Sequence, residues 1–229
     1  AVSGRSPGKA SNAKYLDITE KNYFIGHSSG QKLTEGVYNN TLGYNSGFDL
    51  TSGSENSFIG YQSGFYTTTG NGNLFLGYQT GYFNVTGSYN SFLGYLAGYS
   101  NTTGVYNTFL GSFSGYSNTS GSNNTFVGDS KGYLNENGVE NTFCGTGCRK
   151  NNTGGSSNVF IGNKGGYSNS YGITNVFIGN KAGYNNTLGT GNVIIGENAG
   201  YSNEEAWNNV FLGFESGFNN TSGGDNVFV

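Results

Sequence analysis

Few side chains in this sequence could do chemistry. There is one histidine, His27, and there are two cysteines, Cys144 and Cys148. Thirteen carboxylates are scattered along 229 residues, and pairs such as Glu204 and Glu205 read as solvated surface. A His-based triad needs a nucleophile, an imidazole and an orienting acid in one place, and nothing around His27 carries such a signature. One pair of thiols with a distant imidazole does not make a four-ligand zinc site. The scattered acids do not make a calcium loop. The glycines never form a phosphate-cradling pattern between a strand and a helix. The chain therefore reads as non-enzymatic, with no catalytic, metal or cofactor residues. Cys144 and Cys148 lie four residues apart around a glycine and could close a small disulfide.

The aromatic residues are the better candidates for recognition. Tyr44, Tyr61, Tyr78 and Tyr95 recur at a constant spacing of 17. If exposed, they form a strip with one ring per step, either plain surface packing or a place where aromatic faces stack on a glycan beside asparagine amides. Thr34, Thr51, Thr68, Thr102, Thr119, Thr153, Thr187 and Thr221 share another spacing. A regular threonine face is what an ice- or mineral-binding surface would need, although Val85, Glu136, Ser170 and Glu204 interrupt it.

What positions these residues is a repeat. Asn22, Asn39, Asn56, Asn73, Asn90, Asn107, Asn124, Asn141, Asn158, Asn175, Asn192, Asn209 and Asn226 follow one another at intervals of 17 residues without insertion or deletion. Twelve complete units cover residues 22–225. Each reads Asn, variable, Phe, aliphatic, Gly, with further glycines at unit positions nine and fifteen. So short a unit cannot hold the helical pair of the common α-repeats or a propeller blade. It suits one coil of a parallel β-solenoid, in which like residues stack on like. The expected fold is therefore all-β, a parallel β-solenoid of twelve full 17-residue coils. Residues 1–21 are expected to form an N-terminal cap or linker. The solenoid over 22–229 is expected to be truncated at its C-terminus.

Composition agrees. Forty-two glycines, one proline, no methionine and only 10% charged residues disfavour a helical or α/β chain. A net charge of −3 gives no basic footprint for nucleic acid. No run of about 20 apolar residues is present to insert into a membrane.

The columns have separable roles. The asparagine at position one should bond local backbone and its own copies along the rungs. The glycines should mark corners or close backbone approaches. Phe at position three and the aliphatic residue at position four are strand neighbours and should face opposite ways. One then lines the coil and the other makes a long outward apolar stripe, the kind of surface that marks an interface. The alternative is a bulge that turns both inward. Sequons at Asn84, Asn101, Asn118 and Asn220 would carry sugar in a eukaryotic secretory pathway and crowd that stripe, which points to a bacterial or viral source.

Segments such as NSFLGYLAGYSNTTGVYNTFLG resemble repeats of bacterial surface proteins and phage-type fibres, which often precede an endosialidase-type chaperone domain. The stretches Asn90 to Gly94 and Asn107 to Gly111 are also remotely similar to the NSVAIG segments of YadA-like trimeric adhesin heads. The resemblance covers residues 22–229, with aromatics here replacing many Ala and Val. It implies a structural or adhesive rod module of a surface fibre, located extracellularly, on a cell surface or on a virion. It implies a homotrimer ahead of a homodimer, with a host or cell-surface glycan as a further partner.

Overall fold

The computed structural model describes residues 16–145 and 152–229. Its described residues contain fourteen strands and no helix. They are β1 (Leu16–Ile18), β2 (Tyr23–Ile25), β3 (Asn40–Leu42), β4 (Ser57–Ile59), β5 (Leu74–Leu76), β6 (Ser91–Leu93) and β7 (Thr108–Leu110). Next come β8 (Thr125–Val127), β9 (Thr142–Cys144), β10 (Val159–Ile161), β11 (Val176–Ile178), β12 (Val193–Ile195), β13 (Val210–Leu212) and β14 (Val227–Phe228). All lie in one sheet in chain order. From β2 onward every pairing is parallel and advances by 17 residues, as in Phe58 on Phe75 and Phe75 on Phe92. The chain is thus a β-solenoid of about twelve turns. Thirteen rungs at about 4.8 Å make a rod of roughly 58 Å.

β1 is the exception, because it pairs antiparallel with β2, Asp17 opposite Phe24. Part of the region before the first unit thus forms a strand that covers one edge of the sheet, a position where unpaired backbone groups would otherwise be exposed.

A three-residue strand has one inward side chain and two outward ones. The inward one is the phenylalanine. Phe58, Phe75, Phe92, Phe109, Phe126 and Phe177 are fully buried, with Ile194 filling the same place in its coil. Their rings stack along the axis at centroid spacings of 4.7–5.0 Å from Phe58 to Phe177. Small residues such as Ser63, Ala97, Ser114 and Ala182 complete the interior opposite them, and among the described residues of that column Lys131 is the one large buried side chain.

The rest of the interior is polar and closes through two amide ladders. In the first, each position-one asparagine takes a fixed set of bonds. Asn124 donates its backbone N–H to Asn107 Oδ1 at 3.0 Å and its side-chain amide to the Gly138 carbonyl at 2.8 Å. Its own Oδ1 accepts from the Asn141 backbone N–H. The second ladder runs from Asn84 to Asn220, with Asn118 Nδ2 donating to Asn101 Oδ1 and to the Gly121 carbonyl. Buried amides are affordable here because each finds its partners one rung away.

Backbone geometry explains the glycines. At position five Gly60 has φ +135, and an added Cβ would lie 2.1 Å from the Gly77 carbonyl oxygen. At position fifteen the conformation is ordinary but the approach is close, a Cβ on Gly53 falling 2.3 Å from the Gly70 oxygen. Two further left-handed positions are mostly filled by residues other than glycine, although Gly72 and Gly191 stand at position seventeen in two coils. Position seven (Gln62, Leu96, Phe113) and position seventeen (Tyr106, Glu140, Thr174) have φ between 51° and 59°.

Candidate functional site

The strand alternation places the position-four residues outside. Leu42, Ile59, Leu76, Leu110, Ile161 and Ile195 are each about two-fifths exposed, between 37% and 46%. They belong to an apolar column from Ile25 to Leu212 that is aliphatic at every rung but one, with Val127 and then Cys144 in its middle. The position-two residues flank it on the same face. In β3, β4 and β6–β9 these are Asn40, Ser57, Ser91, Thr108, Thr125 and Thr142, whereas in β10–β13 they are Val159, Val176, Val193 and Val210. The apolar face is therefore one residue wide over most of the rod and two wide toward its C-terminal end.

The tyrosine strip is brought together as a single stack. Tyr44, Tyr61, Tyr78 and Tyr95 are 42–49% exposed. Their centroids lie 5.4, 5.1 and 5.3 Å apart with interplanar angles of 14° or less. His27 extends the stack below Tyr44 at 5.2 Å, and Phe113 meets Tyr95 edge-on at the other end. The sequence showed the spacing but not this consequence: each ring face lies against the next ring. What the strip offers to solvent is a row of ring edges, with stacking faces occupied by the protein itself.

A second aromatic ladder runs along position ten. Phe48, Phe65, Tyr82, Tyr99, Tyr116 and Tyr133 stack at 5.0–5.3 Å and are half-buried. Tyr66 and Phe83 pack edge-on against it. Burial, with Tyr66 alongside and hydrogen-bonded, pushes the Tyr82 phenol up to about 12. Burial, with Tyr116 next in the stack, also raises Tyr99.

The threonine column is tied into the coil. Thr34, Thr51, Thr102 and Thr119 each donate a side-chain hydroxyl to the carbonyl of the residue 17 positions on. These hydroxyls take part in coil-to-coil bonding.

The sequons sit differently from the expectation drawn above. Asn84, Asn101 and Asn118 are fully buried members of the second amide ladder, so in the folded coil they are interior groups and no acceptor for sugar. The sequon pattern arises here because an inward amide is followed two residues later by Thr86, Thr103 or Ser120, one place beyond the threonine column. Of the cysteine pair, Cys144 lies half-buried in the outward aliphatic column, while Cys148 falls outside the described residues.

Among the described residues no group of three or more His, Cys, Asp or Glu could hold a metal ion. Nor is any helix there long and apolar enough to cross a membrane. No family model, curated protein or solved structure matches the chain.

Proposed function

We propose that this chain is a non-enzymatic rod module of an extracellular surface fibre, structural or adhesive, that associates laterally with copies of itself. The observation that carries the reading is the continuity of bonding between coils. Backbone pairs, two amide ladders, the phenylalanine stack and the threonine hydroxyls all join one coil to the next. Such a chain is a stiff spacer of fixed length. The exposed aliphatic column supplies the lateral contact, and a trimer is favoured over a dimer from the resemblance to fibre and adhesin repeats. Size-exclusion chromatography with light scattering tests the assembly. A mass near three times the 24.2 kDa chain supports the trimer, and a stable species of one chain at micromolar concentration overturns self-association.

A second reading rests on the tyrosine stack, as a glycan- or surface-binding strip. With ring faces occupied, such contact would run through ring edges and phenol oxygens spaced about one rung apart. Glycan-array binding abolished by Tyr61→Ala and Tyr78→Ala together supports it. Binding unchanged by that pair removes the strip from consideration.

A further inference from the structure

We infer that the exposed tyrosine stacks are sites of oxidative modification, where a peroxidase-type one-electron oxidant joins Tyr78 to Tyr95 and Tyr89 to Tyr106 as dityrosines within one chain. Both links would staple the coil of residues 73–89 to the coil of residues 90–106. Neither lateral association nor glycan contact is needed for this.

The reaction joins two phenols. Each loses one electron and its phenol proton to give a phenoxyl radical. Two such radicals pair their electrons in a carbon–carbon bond between ring carbons ortho to the oxygens. Each ring regains aromaticity as its ortho hydrogen is released as a proton and its oxygen takes one up. In sum the pair loses two hydrogen atoms, and one hydrogen peroxide accepts the two electrons and two protons to become two waters.

Distance selects the partners. Tyr44, Tyr61, Tyr78 and Tyr95 lie one rung apart, with centroids 5.1–5.4 Å from their neighbours and planes within 14° of parallel. Tyr89 and Tyr106 are 5.2 Å apart and within 6°. Nearly parallel rings at equal positions of successive coils hold like atoms at about the spacing of their centroids. Neighbouring ortho carbons therefore start within about 1–2 Å of carbon–carbon contact. A radical on one ring has its partner beside it and needs no encounter between chains.

Freedom to turn singles out these two pairs. A biaryl bond brings two rings edge to edge, so at least one must leave the stacked orientation by turning about χ2, a torsion with a broad well. Tyr61 and Tyr78 have a ring stacked on both faces, and Tyr44 lies between His27 and Tyr61. Tyr95 is stacked on one side alone, because Ser112 ends the column and Phe113 meets it edge-on at 72°. It is also the most exposed of the four, at 49%. Tyr95 is the ring that turns, and Tyr78 is the ring it meets. Tyr89 and Tyr106 are both more than half exposed, and the adjoining coils carry Gly72 and Asn123 at their position, so each is stacked on one side only.

The remaining tyrosines lack one requirement or the other. Tyr82 and Tyr99 stack as closely, but they are half-buried and braced edge-on by Tyr66 and Phe83. Burial also raises both phenols, which opposes loss of the proton. Tyr23, Tyr38 and Tyr171 are well exposed, but the next coil sets Asn40, Glu55 and Leu188 beside them.

The test treats the whole chain, dilute, with hydrogen peroxide and a haem peroxidase, and maps peptides from the one-chain band of a denaturing gel by mass spectrometry. Tyr78–Tyr95 and Tyr89–Tyr106 links are expected, each lighter than its separate peptides by two hydrogens. Two double variants remove the same number of tyrosines and differ in adjacency. Tyr44→Phe with Tyr61→Phe leaves Tyr78 beside Tyr95 and should keep that link. Tyr61→Phe with Tyr95→Phe leaves Tyr44 and Tyr78 two rungs apart, about 9.6 Å, and should show no link in the strip. Phenylalanine keeps the stacking already present in Phe48 on Phe65, and far-UV circular dichroism should match the parent. Equal yields in the strip from the two variants, links confined to Tyr23, Tyr38 or Tyr171, or no link within one chain overturn the site, and a pair without a link falls. Closing a loop between adjacent coils restrains the unfolded chain. A linked chain whose urea midpoint does not rise above that of the unlinked chain overturns the staple.

Discussion

Asn107 is the place to measure what the first amide ladder contributes. Its side-chain amide donates to the Gly121 carbonyl at 2.8 Å, and its backbone N–H donates to Asn90 Oδ1 at 2.9 Å. Its Oδ1 accepts from both the backbone N–H and the side-chain amide of Asn124, at 3.0 and 3.1 Å. In Asn107→Ala, Gly121 keeps the Asn118 amide and Asn124 Nδ2 keeps Gly138. The Asn124 backbone N–H keeps nothing. One stranded buried donor costs about 1–3 kcal/mol, and the lost bond to Gly121 adds roughly 1 kcal/mol. With a small void added, the expected destabilisation is about 3 kcal/mol. Asn107→Asp is the sharper variant, since it keeps both acceptor interactions and the shape. It replaces only the donor to Gly121, setting an anion against a carbonyl oxygen in a buried place. Protonation restores a donor there, so the folded-state pKa must rise above the unfolded value of about 3.9. A raised acid pKa gives stability that is present below about pH 4 and lost as pH climbs toward neutrality. The prediction is a urea midpoint for Asn107→Asp that approaches wild type near pH 3.5 and falls well below Asn107→Ala at pH 7. Circular dichroism across that range measures it. A pH-independent deficit, or an Asn107→Ala cost under about 1 kcal/mol, would show that the amides fill space without bonding the coils.

The second ladder invites extension. Thr67 occupies the position below Asn84, and its buried hydroxyl has no partner. Thr67→Asn places a carbonyl oxygen under the Asn84 amide and a donor near Gly70, and should raise stability by about 1 kcal/mol in chemical denaturation. Thr174 holds a β-branched side chain at φ 55 where other coils use Asn123 or Asn208. Thr174→Asn should stabilise by roughly 0.5–1 kcal/mol, read as a higher thermal midpoint. Glycines should separate by geometry. Gly165 has no neighbour closer than 3.7 Å to a built Cβ, so Gly165→Ala should be neutral or gain up to about 1 kcal/mol, whereas Gly60→Ala should abolish cooperative unfolding. Alkaline stability should report on Tyr82. Its folded pKa, near 12, lies above the unfolded value of about 10, so its contribution is intact below pH 10 and lost as pH rises toward 12. Tyr82→Phe, with phenylalanine already present at Phe65 and Phe48 in that column, should flatten the fall in denaturation midpoint between pH 10 and 12.

Period and fold class were legible because the repeat is exact. A constant 17-residue step with Asn, Phe and Gly in fixed places leaves little but stacked coils. Strand alternation put Phe58 and Ile59 on opposite faces without saying which lines the coil, and the structure places Phe58 inward and Ile59 outward. The tyrosine column was visible as spacing, and its exposure followed from the loss of aromatics at Ser112 and Asp129. The direction in which those rings face was not visible. A parallel ladder forces equal side chains into equal rotamers about one rung apart, so flat rings close on each other before any ligand reaches them. The left-handed residues at positions seven and seventeen were hidden because Leu96, Phe113, Tyr106 and Thr174 are not types that advertise positive φ. Their conformation is imposed by the coil above and below. The sequons misled for a related reason: a three-residue pattern carries no record of which way its asparagine points.

The polar interior also explains why the register is unbroken. In a coil lined only by aliphatic groups, slipping one residue costs packing, and a mixed set of apolar side chains can absorb part of the change. Here a slip at any rung would move Asn124 off Asn107 and Asn118 off Asn101 together, stranding buried donors in both ladders. Such groups have no water to turn to, so the penalty falls on the whole amide rather than on its net bond strength. Register is thus enforced from the inside by groups that contribute modestly when satisfied and cost heavily when not. That enforcement is what keeps the outer columns straight. Each Ile or Leu of position four sits above the last because the asparagine three residues before it cannot move. A lateral seam between rods depends on that alignment over every rung, so the buried amides set the geometry of the surface on which association is proposed to occur.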